Sequence, residues 1–128
     1  EMARLTGLAV EEIQKSRETV ARQFSRNCRV VVVLKGDHTV ISNIDGECTV
    51  NDTGNPGMAT GGVGDVLTGM IAALIGQGLS IFDSARLGVY LHGLAGDLVA
   101  KSRGEIGLIA SDLIDTIPLA IRQYQQLS

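Results

Sequence analysis

The spacing of apolar residues changes several times along this chain, and each change marks an element. Val10, Ile13, Val20, Ala21 and Phe24 fall on one face at helical spacing, with Glu11, Glu12, Lys15 and Arg22 on the other. That pattern predicts an amphipathic helix over residues 10–24. Gly7 reads as the C-cap of a short preceding turn that begins outside the chain. Residues 29–34 (RVVVVL) are a continuous β-branched run, which predicts a strand buried on both faces, of the kind found in parallel sheets flanked by helices. Residues 39–41 and 48–50, joined through Asn43-Ile44-Asp45-Gly46-Glu47, predict a hairpin around an Asp-Gly turn. After a glycine-rich stretch, an almost wholly apolar helix is expected from about Asp65 to Gly76 or Gly78. Ser80, with Asp83 three positions on, predicts the cap of a further helix running to about Lys101. Ala85, Gly88, Gly93, Ala95 and Gly96 on that helix would let another helix come close. Ser111 is expected to cap the last helix, which Pro118 kinks or restarts.

The order helix, strand, hairpin, glycine loop and three helices is α/β, with too few strands for a complete sheet. More of the sheet is therefore expected upstream or in a companion chain. At 128 residues the sequence can bury a core of its own, and with 45% hydrophobic and 20% charged residues it reads as globular. Aromatic residues are only 3% and Trp is absent, so that core must be aliphatic. A net charge of -3 without any basic run argues against nucleic acid or a membrane surface as partner. No apolar run is long enough to span a bilayer. Cys28 and Cys48 lack metal-ligand spacing and are expected to be free thiols in a reducing cytoplasm.

The chemistry concentrates in Asn55-Pro56-Gly57-Met58-Ala59-Thr60-Gly61-Gly62-Val63-Gly64-Asp65. Glycines at 61, 62 and 64 allow positive φ and a close approach of backbone to ligand. The loop runs straight into a helix N-terminus, where unpaired N–H groups and the positive dipole end attract phosphate. Two familiar phosphate loops are excluded. A P-loop needs Lys and then Ser or Thr where Asp65 and Val66 stand, and a dinucleotide fingerprint needs a small residue at Leu67. A bare Asp65 at the mouth of an anion site repels phosphate. It makes sense there as a base taking a proton from a hydroxyl that attacks a phosphoryl group. A purely structural alternative is that Asp65 caps its helix and complements the dipole.

Asn55-Pro56-Gly57-Met58-Ala59 with Gly61-Gly62-Val63-Gly64-Asp65-Val66-Leu67-Thr68-Gly69 resembles the signature of the ADP/ATP-dependent NAD(P)H-hydrate dehydratases, a branch of the ribokinase-like superfamily. The Gly-x-Gly-Asp core is shared across that superfamily, and the Asn-Pro-Gly-Met-Ala string is narrower to the dehydratases. Leu34-Lys35-Gly36 with Thr39, His92-Gly93-Leu94-Ala95-Gly96-Asp97 and Ala110-Ser111-Asp112 extend the match over essentially the whole chain. The resemblance implies that residues 1–128 are the C-terminal portion of one ribokinase-like, three-layer α/β/α catalytic domain. It implies dehydration of hydrated NADH or NADPH, with ADP or ATP as phosphoryl donor and Mg²⁺ bridging the phosphates.

On that resemblance Asp65 is the base at the substrate hydroxyl, and the amides of Gly62, Val63 and Gly64 hold the transferred phosphoryl. Lys35, Gly36, Asp37, His38 and Thr39 line the nucleotide site together with Asn55, Pro56, Gly57, Met58, Ala59, Thr60, Gly61 and Gly64. No residue is assigned to the metal. His92 reads as a helix-packing histidine, and Asp97 as a local cap or pair outside the site. A cytoplasmic homo-oligomer completed by its N-terminal segment is the expected form. A small-alcohol kinase on the same scaffold, or a nucleotide-binding domain without chemistry, are the competing functions.

Overall fold

A computed structural model describes residues 1–127, and the chain divides into two compact units, residues 1–51 and 52–128. The first unit begins with helix α1 (Met2–Thr6), closed by Gly7 in the left-handed conformation at φ 74°, as its position suggests. The 10–24 pattern is realised as two helices, α2 (Val10–Lys15) and α3 (Arg17–Cys28). The break is at Ser16, whose φ of -140° leaves the helical region.

Helix α3 packs on a sheet of three short strands, β1 (Val32–Leu34), β2 (Val40–Ser42) and β3 (Cys48–Val50), in the order β1-β2-β3. Ala21 of α3, Val32 and Val40 form the buried centre, with Phe24, Leu34 and Cys48 against it. The hairpin is as expected, with Gly46 at φ 88° in its turn. The 29–34 run is not. Both pairings in the described sheet are antiparallel, with Val33 opposite Ile41, and the first half of the run is not strand. Arg29 instead ends α3 in the left-handed region at φ 57°, its N–H returning to Ser25 O, and Val30 is exposed. Helix exit takes the residues that the hydrophobic pattern assigns to a strand.

Polar side chains of α3 tie the unit together. Ser25 Oγ donates to Ser42 O at 3.0 Å, and Arg17 Nη2 donates to the carbonyls of Leu34 and Lys35 at 2.8 and 3.2 Å. Arg17 thereby fixes the backbone where β1 ends and the Lys35–Thr39 turn begins.

The second unit is a glycine loop followed by α4 (Val63–Gly76), α5 (Ile81–Arg103) and α6 (Ala110–Leu127). Val63, Val99, Leu108 and Leu113 make its core cluster, with Met58 and Val66 packed on it. Ser80 caps α5 as expected, its Oγ accepting from Asp83 N. Ser111 does not cap α6. It lies inside the helix, and Asp112 accepts the Ile109 N–H instead, at 3.0 Å. Pro118 is held within α6 without ending it. Gly88 admits Ile71 of α4 against α5, whereas Gly93 and Gly96 admit the loop rather than a helix.

Candidate active site

The loop enters α5's surface at Thr53, whose Oγ1 donates to Tyr90 O at 2.9 Å. Asp97 then accepts two hydrogen bonds at 2.9 Å, from Gly54 N–H and from Asn55 Nδ2. Asn55 turns its other end inward, its Oδ1 accepting from Gly57 N at 3.1 Å. That bond caps a single 3-10 turn over Pro56–Met58. Gly57 has no room for a side chain, since a Cβ there would lie 3.0 Å from Glu105 Cα. Met58 tucks beneath Gly96, while Ala59, Thr60, Gly61 and Gly62 stay on the surface.

Of the three glycines expected to use their freedom, Gly62 alone takes a positive φ, 83°, as N-cap of α4. Gly64 is already helical, and Gly61 has open space around it, with nothing within 4 Å of a built Cβ. The turn at Gly62 directs Asp65 N–H and Val66 N–H back onto Gly62 O, both at 3.1 Å. The N–H groups of Gly62, Val63 and Gly64 donate to no acceptor among the described residues. Three consecutive unengaged amides thus stand at the positive end of a 14-residue helix, an arrangement able to receive an anion.

Asp65 is the third residue of α4, exposed beside those amides. The N-cap of α4 is Gly62, which has no side chain to cap with, and Asp65 is the acidic residue of the first turn. In the first turn the carboxylate complements the helix dipole, as the structural alternative expects, without a capping hydrogen bond.

His92 of α5 is buried, with Nε2 2.9 Å from Val63 O. The acceptor is a carbonyl, so Nε2 carries the proton in this bond. The packing role expected of His92 is thus a bond into the first turn of α4. Asp97, left outside the site on sequence grounds, proves to hold the Asn55 segment. Its partners lie 42 and 43 positions away, so no local pattern marks it.

Lys35, Gly36, Asp37, His38 and Thr39 form the exposed turn between β1 and β2 in the first unit. Asp37 Oδ1 lies 2.8 Å from His38 Nδ1, and Thr39 Oγ1 donates to Gly36 O at 3.2 Å. No three His, Cys, Asp or Glu side chains converge on a possible metal position among the described residues. No helix among them is long and apolar enough to cross a membrane.

Solved structures place the fold. The crystal structure of a ribokinase-like superfamily protein from Enterococcus faecalis matches with a TM-score of 0.76 and 32% identity, over 95% of this chain and 41% of that one. The ADP/ATP-dependent NAD(P)H-hydrate dehydratase from Bacillus subtilis, crystallised with ATP and Mg²⁺, matches with a TM-score of 0.92 and 37% identity, over 95% of this chain and 44% of that one. The chain is therefore a ribokinase-like α/β structure, covering the C-terminal part of that domain. A bifunctional NAD(P)H-hydrate repair enzyme from Thermofilum pendens is 49% identical over 98% of this chain and 24% of its own length. Residues 1–119 match the model of the NAD(P)H-hydrate dehydratase family, and the chain belongs to that family. It spans about a quarter of the bifunctional relative and under half of the Bacillus enzyme.

Proposed function

We propose that this chain carries the anion cradle, the base and part of the nucleotide site of an ADP- or ATP-dependent NAD(P)H-hydrate dehydratase. On this reading both units belong to one catalytic domain, completed by the upstream part that the relatives contain. The observation that carries the proposal is the pairing of three unengaged amides at Gly62, Val63 and Gly64 with an unpartnered carboxylate at Asp65. An anion site alone has no use for that carboxylate.

In the reaction, the hydroxyl of the hydrated nicotinamide ring attacks the terminal phosphorus of the nucleotide. Asp65 takes the hydroxyl proton as the new P–O bond forms, and the bond to the leaving AMP or ADP breaks. The cradle amides hold the transferring phosphoryl oxygens, where charge shifts during transfer. The phosphate ester then leaves as its C–O bond breaks, and loss of a proton from the adjacent carbon restores the ring double bond. Lys35 supplies a positive charge for the phosphates. By resemblance, Gly36, Asp37, His38 and Thr39 of the first unit, and separately the turn from Asn55 to Gly61 of the second, are each assigned to the nucleotide.

Mg²⁺ neutralises phosphate charge when bound. Among the described residues no three His, Cys, Asp or Glu side chains are grouped to hold it. The enzyme is proposed to act in the cytoplasm as a homo-oligomer. The apolar residues exposed on α6, among them Ile114 and Leu127, are surface available for association.

The test is recovery of absorbance from chemically hydrated NADH by the full-length protein with Mg²⁺ and either ADP or ATP. Nucleotide-dependent recovery that drops at least ~100-fold in Asp65→Asn, with nucleotide still bound, is expected. Phosphorylated substrate accumulating without elimination would instead mark a small-alcohol kinase. Unchanged turnover in Asp65→Asn would remove the base assignment.

A further inference from the structure

Helix α5 reaches both ends of the glycine loop within six residues, through Asp97 at Gly54 and Asn55 and through His92 at Val63. We infer that these are two positioning residues with separable duties, Asp97 for the nucleotide-side turn and His92 for the anion cradle. The inference rests on the reading of that loop given above.

Asp97 acts through its lack of a donor. An ionised carboxylate only accepts, so the Asn55 amide must present Nδ2 to it. The Asn55 Oδ1 is then turned towards the Gly57 N–H, where it caps the 3-10 turn. A flipped Asn55 amide would set oxygen against oxygen at Asp97 and donor against donor at Gly57. The second carboxylate oxygen takes the Gly54 N–H and so fixes the peptide that enters the turn. One acidic side chain thus selects the orientation of the amide that shapes residues 55–58.

His92 acts through peptide planarity. The Val63 carbonyl and the Gly64 N–H belong to one planar trans unit and point in opposite directions. Holding Val63 O at 2.9 Å from Nε2 therefore aims the Gly64 N–H away from α5, among the unengaged amides of the cradle. The imidazole sets the direction of a donor that it never touches. Gly93 and Gly96, between the two residues, are what let Thr53 and Met58 lie close enough for both bonds to form.

The two duties call for different kinetic signatures in the full-length protein. Asp97→Asn retains one acceptor and is expected to raise the KM for ADP or ATP about tenfold, the worth of one net hydrogen bond, with kcat changed less than about twofold. Hydrogen exchange at the Gly54 and Gly57 amides should accelerate with it. The exchanged pair Asp97→Asn with Asn55→Asp can rebuild all three bonds, with donor and acceptor reversed only between positions 55 and 97, and should return that exchange to the wild-type rate. His92→Phe should lower kcat about tenfold at unchanged nucleotide KM and accelerate exchange at Asp65 and Val66. His92→Gln, which keeps a donor at similar reach, should restore most of kcat.

Equal losses in both parameters from both variants, or no change in either, would overturn the inference. So would loop exchange that the swapped pair fails to restore. If the wild-type protein recovers no NADH, the proposed function fails. The exchange rates of Asp97→Asn and its swapped pair then decide the positioning roles alone, and unchanged rates would refute them.

Discussion

Gly93 and Gly96 stand one turn apart on the same helix, and replacing each with alanine separates two kinds of crowding. Both substitutions gain about 1 kcal/mol of helix propensity. At Gly93 the new Cβ would lie 2.6 Å from both the carbonyl carbon and oxygen of Thr53, which are backbone atoms unable to swing aside. The loop must move, at about 1–3 kcal/mol for the overpacking. The Thr53 Oγ1 bond to Tyr90 O is disturbed with it, adding about 1 kcal/mol. The net expectation is a loss of about 1–3 kcal/mol. At Gly96 the atoms nearest to the Cβ would all belong to the Met58 side chain, with Cγ and Cε at 2.8 and 2.9 Å. A thioether with three rotatable bonds gives way easily, so propensity and crowding should cancel to within about 0.5 kcal/mol.

Urea denaturation of the full-length variants measures the difference. With a slope of about 2 kcal/mol/M, Gly93→Ala should shift the midpoint down by about 1 M and Gly96→Ala by little, at unchanged slope. Equal shifts for the two, or a Gly93→Ala protein as stable as wild type, would refute the claim that α5 is carved to fit the loop backbone.

Two other substitutions probe single features. Gly62→Ala forces a side chain into the left-handed region at φ 83° with Ala110 Cβ 3.3 Å away. It should cost about 1–2 kcal/mol and weaken nucleotide binding in a calorimetric titration, and unaltered affinity would count against the cradle. Ser84 is fully buried with its Oγ unpartnered, so Ser84→Ala should be neutral or gain up to about 1 kcal/mol in the same urea experiment. A clear loss there would reveal a hidden partner for the hydroxyl.

Sequence reading succeeded where the signal was local. Asp45-Gly46 announces the hairpin and Ser80 the start of α5, because each acts on backbone within a few residues of itself. It failed where two local signals competed. Residues 29–34 look like strand throughout, yet the end of α3 captures Arg29, and β1 forms only from Val32. Ser111 is a good cap by type, but Asp112 is the residue that reaches the Ile109 N–H. The Asn55–Asp65 loop was legible as a glycine-rich turn running into a helix N-terminus. Its supports were not, because Asp97 and His92 act across 42 and 29 positions respectively, and such contacts leave no local pattern.

The close fit of the loop to Gly93 and Gly96 bears on whether the site can be transplanted. The loop's amides owe their directions to hydrogen bonds from α5, and their depth to side chains that α5 lacks. Grafting residues 52–65 onto a foreign scaffold would carry over the glycines and lose the arrangement. The smallest portable unit is the loop together with the α5 turn beneath it, and a designer borrowing this loop would need to move both.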